Sequence, residues 1–247
     1  MNEQLLLANI RGVLIRLEET ILFALIERAQ FAHNPVIYEP GAAGPGTAGD
    51  SLVGFLLQET ERVHAKMRRY TSPDEHPFYP NLPDPILPPL RFAENPLQPN
   101  RINQNDAIRA AYEAGIVPHL CQPGDDGQYG SSAVADVSCL QALSKRIHYG
   151  KFVAESKYRA EPELYRSLAE QGDADGILAA LTAPQIEQQV LARVRDKAVT
   201  YGQDIGGTSR QSKIDPERVV DVYARWIIPL TKRIEVAYLL EREYADN

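Results

Sequence analysis

Residues 140–158 read LQALSKRIHYGKFVAESKY, and this stretch decides the fold. Its apolar residues recur at helical spacing: Leu140, Leu143, Ile147, Ala154 and Tyr158 form one stripe. The pattern predicts a single helix. Arg146 and Lys157 flank the stripe eleven residues apart. That is close to three turns, so both cations point the same way, with Gly150 and Val153 between them. One reading has the two side chains lying on the core with their heads in water. The other has a glycine-thinned helix face on which two cations grip a small anion.

The rest of the chain follows the same period. Helices are expected near 2–33, 50–71, 102–120, 132–159, 161–171, 173–182, 184–201 and 215–243, with no alternating strand run. The fold class is all-α, a multi-helix bundle forming one domain over 1–247. Nine of the eighteen prolines fall between residues 73 and 99, which predicts an extended connector over about 73–100. Residues 41–49, GAAGPGTAG, form a loop without the Gly-Lys-Ser/Thr ending of a phosphate-binding loop. Asp215 and Pro216 read as N-cap and first residue of the last helix, and Pro229 should kink it. No internal repeat is evident.

Composition excludes several functions. The 247 residues carry a formal charge of −7, so nucleic acid is not expected as a partner. The longest apolar run, residues 21–26, is far short of a membrane span, and the N-terminus lacks the pattern of a secretory signal. Cys121 and Cys139 are too few for a disulfide framework and lack metal-ligand spacing. The five histidines form no pair four residues apart. No metal or cofactor is expected, and a cytoplasmic location fits.

The run RIHYGKFVAESKY (146–158) resembles the signature of the all-helical chorismate mutases of fungi and plants. Three further blocks agree in the same order: NIRGVLIRLEETILFALIERAQF (9–31), KMRRYTSPDEHPFYP (66–80) and IIPLTKRIEVAYLL (227–240). The resemblance implies a homodimer that rearranges chorismate to prephenate. Chorismate is a dianion, and its rearrangement is unimolecular. A protein must hold the compact conformer and stabilise charge on the breaking ether oxygen.

The resemblance implies roles for particular residues. Arg11, on an otherwise apolar line of the first helix, and Arg146 would clamp the carboxylates. Lys157 and Glu235 would face the ether oxygen, with Glu235 protonated so that it can donate. Glu187 would accept from the ring hydroxyl. Thr231, one turn before Glu235, would bind a carboxylate or position Glu235. Val153 would pack on the ring. Without the resemblance, Glu235 reads as an exposed ion-pair partner on its own helix, and Arg11 as a peripheral salt bridge. Ala183 departs from the family, which commonly places an Asn four residues before the site Glu.

Arg68, Arg69, Gly130 and Ser131 match an effector site for tyrosine, with tryptophan as a second candidate. Ser131 or Ser132 would open the helix carrying Arg146, and free N–H groups there favour a carboxylate. Val134 and Asp215 diverge from regulated relatives. The rival to an enzyme is a helical interaction protein that kept the fold and lost the chemistry.

Overall fold

The computed structural model describes residues 7–42, 44–47, 49–89, 95–203 and 212–243. Among them there is no strand, only an isolated bridge between Ala32 and Gln122. No helix is long and apolar enough to cross a membrane among these residues.

Among the described residues eleven α-helices follow one another: α1 Leu7–Arg28, α2 Leu52–Lys66, α3 Asn105–Ala111, α4 Val117–Leu120, α5 Tyr129–His148 and α6 Gly150–Ala160. Then come α7 Pro162–Glu170, α8 Ala174–Leu181, α9 Pro184–Tyr201, α10 Pro216–Val222 and α11 Ile228–Glu241. Asp173 and Asp215 cap α8 and α10 by accepting from Gly176 N and Glu217 N. The first expected helix starts outside the described residues.

Two apolar clusters form the interior. One joins Ile21, Leu22 and Leu25 of α1 to Val53 and Leu57 of α2, to Leu140, Leu143 and Ile147 of α5, and to Ile234 of α11. The other joins Ile10 and Leu17 of α1 to Phe152 and Tyr158 of α6, to Ile177 and Leu181 of α8, and to Tyr238 and Leu239 of α11. Helices α1 and α11 run through both, so residues on them are fixed by both clusters. A fully buried ion pair lies within the first. Arg28 Nε donates to Asp136 Oδ1 at 2.5 Å, and the hydroxyls of Tyr112 and Tyr38 donate to the same carboxylate at 2.6 and 2.9 Å.

Four expectations are corrected. Residues 140–158 are two helices, because α5 ends at His148 and α6 begins at Gly150. Tyr149 stays near helical dihedrals (φ −62°, ψ −13°), but Phe152 N bonds Tyr149 O, three residues back. The break lets Gly150 press on α11: a Cβ there would stand 3.0 Å from Thr231 Cγ2 and 3.2 Å from Glu235 Cγ. Second, α2 stops at Lys66, and Arg68 takes a left-handed conformation (φ 69°) that ends the helix through Arg68 N to Ala65 O. Arg68 and Arg69 therefore lie beyond the end of the helix expected over 50–71.

Third, α5 starts at Tyr129, which places Gly130 and Ser131 inside its first turn. Fourth, the expected helices at 102–120 and 215–243 are each interrupted by a five-residue π turn, Tyr112–Ile116 and Tyr223–Ile227. Pro229, where a kink is expected, stands two residues beyond the second π turn. A short motif does recur at the two places: YEAGIVP at 112–118 and YARWIIP at 223–229.

Among its described residues the proline-rich connector has no helix, and the 3-10 turn Arg69–Thr71 leads into it. Side chains of the helices hold it down. Glu61 accepts from Phe78 N and Tyr79 N, and Lys151 donates to Asn100 Oδ1 and Ile102 O.

Candidate active site

Seven side chains picked out in the sequence line one cavity of about 250 Å³: Arg11, Arg146, Val153, Lys157, Glu187, Thr231 and Glu235. They come from α1, α5, α6, α9 and α11. Ile10, Leu14, Leu181, Ile186, Val190 and Ile228 supply the apolar wall.

Arg146 sits in the last turn of α5 and is only 6% exposed. Its Nε and Nη1 are buried and make no hydrogen bond. A buried guanidinium with idle N–H groups is costly unless an anion completes it. Its fork matches a carboxylate. The snorkelling alternative is thereby rejected for Arg146. Arg11 stands exposed at the rim.

Lys157 is half-buried, and its Nζ donates to Leu181 O at the end of α8. An ammonium has three N–H groups, so this carbonyl anchors it and leaves two to offer elsewhere. The C-terminal end of α8 also favours the positive charge.

Glu235 is buried, which pushes its carboxyl up to about 7, against the pull of Lys157 and Arg146. The exposed ion-pair reading of Glu235 fails, since only 7% of the residue meets solvent. One turn earlier, Thr231 donates its hydroxyl to Ile227 O at 2.7 Å. That bond engages the hydroxyl proton, and the Thr231 methyl faces Gly150.

Glu187 is paired with Lys232 at 2.6 Å, and Lys232 also lines the cavity. The sequence reading missed Lys232. The available signal was its place three residues before Glu235, on the same arc of α11. Ala183 stands in the cavity wall just ahead of α9 and brings no polar group there.

A buried charge cluster on α1 and α9 was also missed. Buried Glu18 of α1 accepts from Arg193 Nη2 at 2.6 Å, from Arg193 Nε at 2.8 Å and from Lys197 Nζ at 3.4 Å. Tyr223, fully buried with an unpartnered hydroxyl, feels Arg146, Glu18 and Arg193 together. Glu18 lies beside Leu17 in an amphipathic helix, and its sequence gives no cue that it turns inward.

The four effector residues behave differently. Arg69 is engaged by Glu75 (Nε to Oε2, 3.0 Å) and Gln141 (Nη1 to Oε1, 2.6 Å), and Arg68 donates to Pro88 O. Gly130 and Ser131 are exposed. Gln141 lies ten residues beyond Ser131 on α5, about 15 Å along its axis. A single chain does not bring the two pairs together.

Comparison with known proteins agrees with this geometry. The family model of chorismate mutase type II matches residues 128–236. The chorismate mutase of Schizosaccharomyces pombe is 46% identical, covering 98% of this chain and 98% of its own. The chain belongs to the chorismate mutase family. Its members are isomerases, and this chain is one. A chorismate mutase of Emericella nidulans is 49% identical over 96% of this chain and 92% of its own. Chorismate mutase 1, chloroplastic, of Petunia hybrida is 45% identical over 97% of this chain and 76% of its own.

Among solved structures, AtCM1 with tyrosine bound in its allosteric site shares 46% identity and a TM-score of 0.89, covering 97% of each chain. The Candida albicans chorismate mutase in complex with L-Trp shares 43% identity and a TM-score of 0.90, covering 96% of this chain and 92% of its own. All-helical architecture is common to the family and to this chain.

Proposed function

We propose that the cavity binds chorismate and rearranges it to prephenate with Arg11 and Arg146 on the carboxylates. Lys157 and protonated Glu235 donate to the ether oxygen as its carbon–oxygen bond breaks and the new carbon–carbon bond forms. Glu187 takes the ring hydroxyl, Val153 packs on the ring, and Thr231 holds Glu235 in place. The observation that carries this reading is the idle Arg146 guanidinium in one cavity with a carboxyl raised to about 7. One group calls for an anion, and the other is poised to donate.

We place the effector site between Arg68 and Arg69 of one copy and Gly130 and Ser131 of another, in a homodimer. Tyrosine is the first effector to test and tryptophan the second, in line with the ligands of the two solved relatives. Exposed Val63, Met67 and Ile86 give the neighbourhood of Arg68 an apolar surface suited to a second copy. We read 1–247 as one domain, since α1 and α11 each cross both apolar clusters. Cytoplasm is the compartment proposed; the plant relatives are named as chloroplastic.

Loss of chorismate absorbance with appearance of prephenate, in buffer containing a chelator, tests the activity. Absence of turnover at millimolar chorismate overturns the reading.

A further inference from the structure

The two π turns share a sequence logic. In YEAGIVP and YARWIIP, a Tyr is followed four residues later by Ile and six residues later by Pro. Both tyrosines are fully buried. In both, the residue before the proline donates five residues back instead of four: Val117 N to Tyr112 O and Ile228 N to Tyr223 O. Proline explains this. It has no N–H to give, and its ring clashes with the carbonyl four residues before it, so a regular helix cannot pass. The π turn absorbs one extra residue instead of breaking the helix.

That residue has an angular consequence. Each residue of an α-helix turns the chain about 100°. Run as one uninterrupted α-helix, the buried face of Val219, Val222 and Tyr223 would point about 140° from that of Thr231, Ile234, Glu235, Tyr238 and Leu239. One extra residue removes about 100° of the mismatch. The remaining ~40° fits within the width of a single buried stripe. The first turn behaves alike. Asn105, Ile108 and Tyr112 would point about 120° from Val117 and Leu120, and the extra residue brings them to within ~20°. The turns also pack together: a Cβ on Gly115 would lie 2.7 Å from Trp226 Nε1.

We infer that the π turn Tyr223–Ile227, held by Pro229, is a positioning element for the reaction. It re-phases α11 so that Thr231, Lys232 and Glu235 face the cavity while Val219 and Val222 stay in the core. The inference rests on the site reading above. Its prediction is specific: the extra residue is dispensable if the proline that requires it goes too.

Four proteins test it: the parent, a deletion of Ala224, Pro229→Ala, and both changes together. Ala224 is exposed, so its loss removes a residue and no core contact. The deletion alone drives the proline ring into a regular helix and should lower kcat roughly tenfold or more. Adding Pro229→Ala should restore kcat and KM to within about threefold of the parent, because both buried faces keep their phase. Pro229→Ala alone should also stay within about threefold, since the same faces still call for the π turn. A double variant that fails to fold, or folds with kcat still depressed, overturns the inference. So does a deletion variant that matches the parent. Parent turnover is read first. If the parent is inactive, the functional reading fails, and melting temperatures of the same four proteins decide the phase question alone. The double variant should then melt near the parent and the deletion below it.

Discussion

Glu235 shows how burial sets chemistry at one residue. Its carboxyl is raised from 4.5 to about 7 because desolvation outweighs Lys157 and Arg146. A carboxyl that binds its proton more tightly when folded contributes stability in full below its unfolded value, and this is lost as pH rises through about 7. Activity should follow the same direction, since only the neutral acid donates to an ether oxygen. Glu235→Gln should keep turnover and flatten the alkaline fall of kcat. A variant inactive at every pH, or one with the parent's alkaline limb, would refute the donor role. Arg146 gives a complementary prediction. Arg146→Met keeps the apolar stem and removes the idle guanidinium. It should lower kcat by about 10²–10³ while the melting temperature holds or rises. Paired loss of activity and stability would mean that Arg146 is a structural cation. Both positions were legible through the family resemblance of 146–158 and 227–240, since on spacing alone Arg146 only flanks an apolar stripe and Glu235 reads as an exposed ion-pair partner. The inward turn of Glu18 and the pairing of Lys232 with Glu187 were not, since a charge on an amphipathic helix reads alike whether it meets water or a buried partner.

Helices come close together at Gly150, and this is where elements decide the site. Gly150 opens α6 against α11, and an added methyl would sit 3.0 Å from Thr231 Cγ2 and 3.2 Å from Thr231 O. The backbone oxygen cannot swing aside, so the helices must part. Gly150→Ala should cost about 1–3 kcal/mol of stability. It should also depress kcat, because Lys157 and Glu235 sit on the two helices that separate. Unfolding in denaturant together with steady-state kinetics checks both, and unchanged values would show that the contact is slack. Helix existence was readable from the 3.6-residue period, but helix phase was not. A reading that assumes a constant period carries the pattern straight through 223–227, and the one-residue slip surfaces only as a proline that ought to kink. The end of α2 was hidden for a related reason: Arg68 adopts a left-handed conformation that glycine or asparagine would have announced.

At the scale of the whole molecule, the effector residues pose a problem of distance. Arg69 reaches Gln141, and Ser131 lies about 15 Å back along α5. A tyrosine molecule cannot span both within one chain, so a shared site requires two copies related by symmetry. In the proposed homodimer a two-fold axis would pair each arginine corner with the other chain's helix start, giving two sites per dimer. Mixing distinguishes this arrangement from a site inside one chain. A chain with Arg68→Ala and Arg69→Ala should bind no tyrosine, and neither should a chain with Ser131→Asp, which sets a negative charge against the effector's carboxylate. Chains exchanged between the two variants form heterodimers in which one site carries both lesions and the other carries none. About a quarter of all sites are then intact in an equal, randomly paired mixture. Calorimetry of the mixture should recover tyrosine binding with that stoichiometry at the parent's affinity. With both halves of the site in one chain, every chain in the mixture is defective and no binding returns. Turnover should survive in both variants, because none of the substituted residues lines the cavity that holds Glu235.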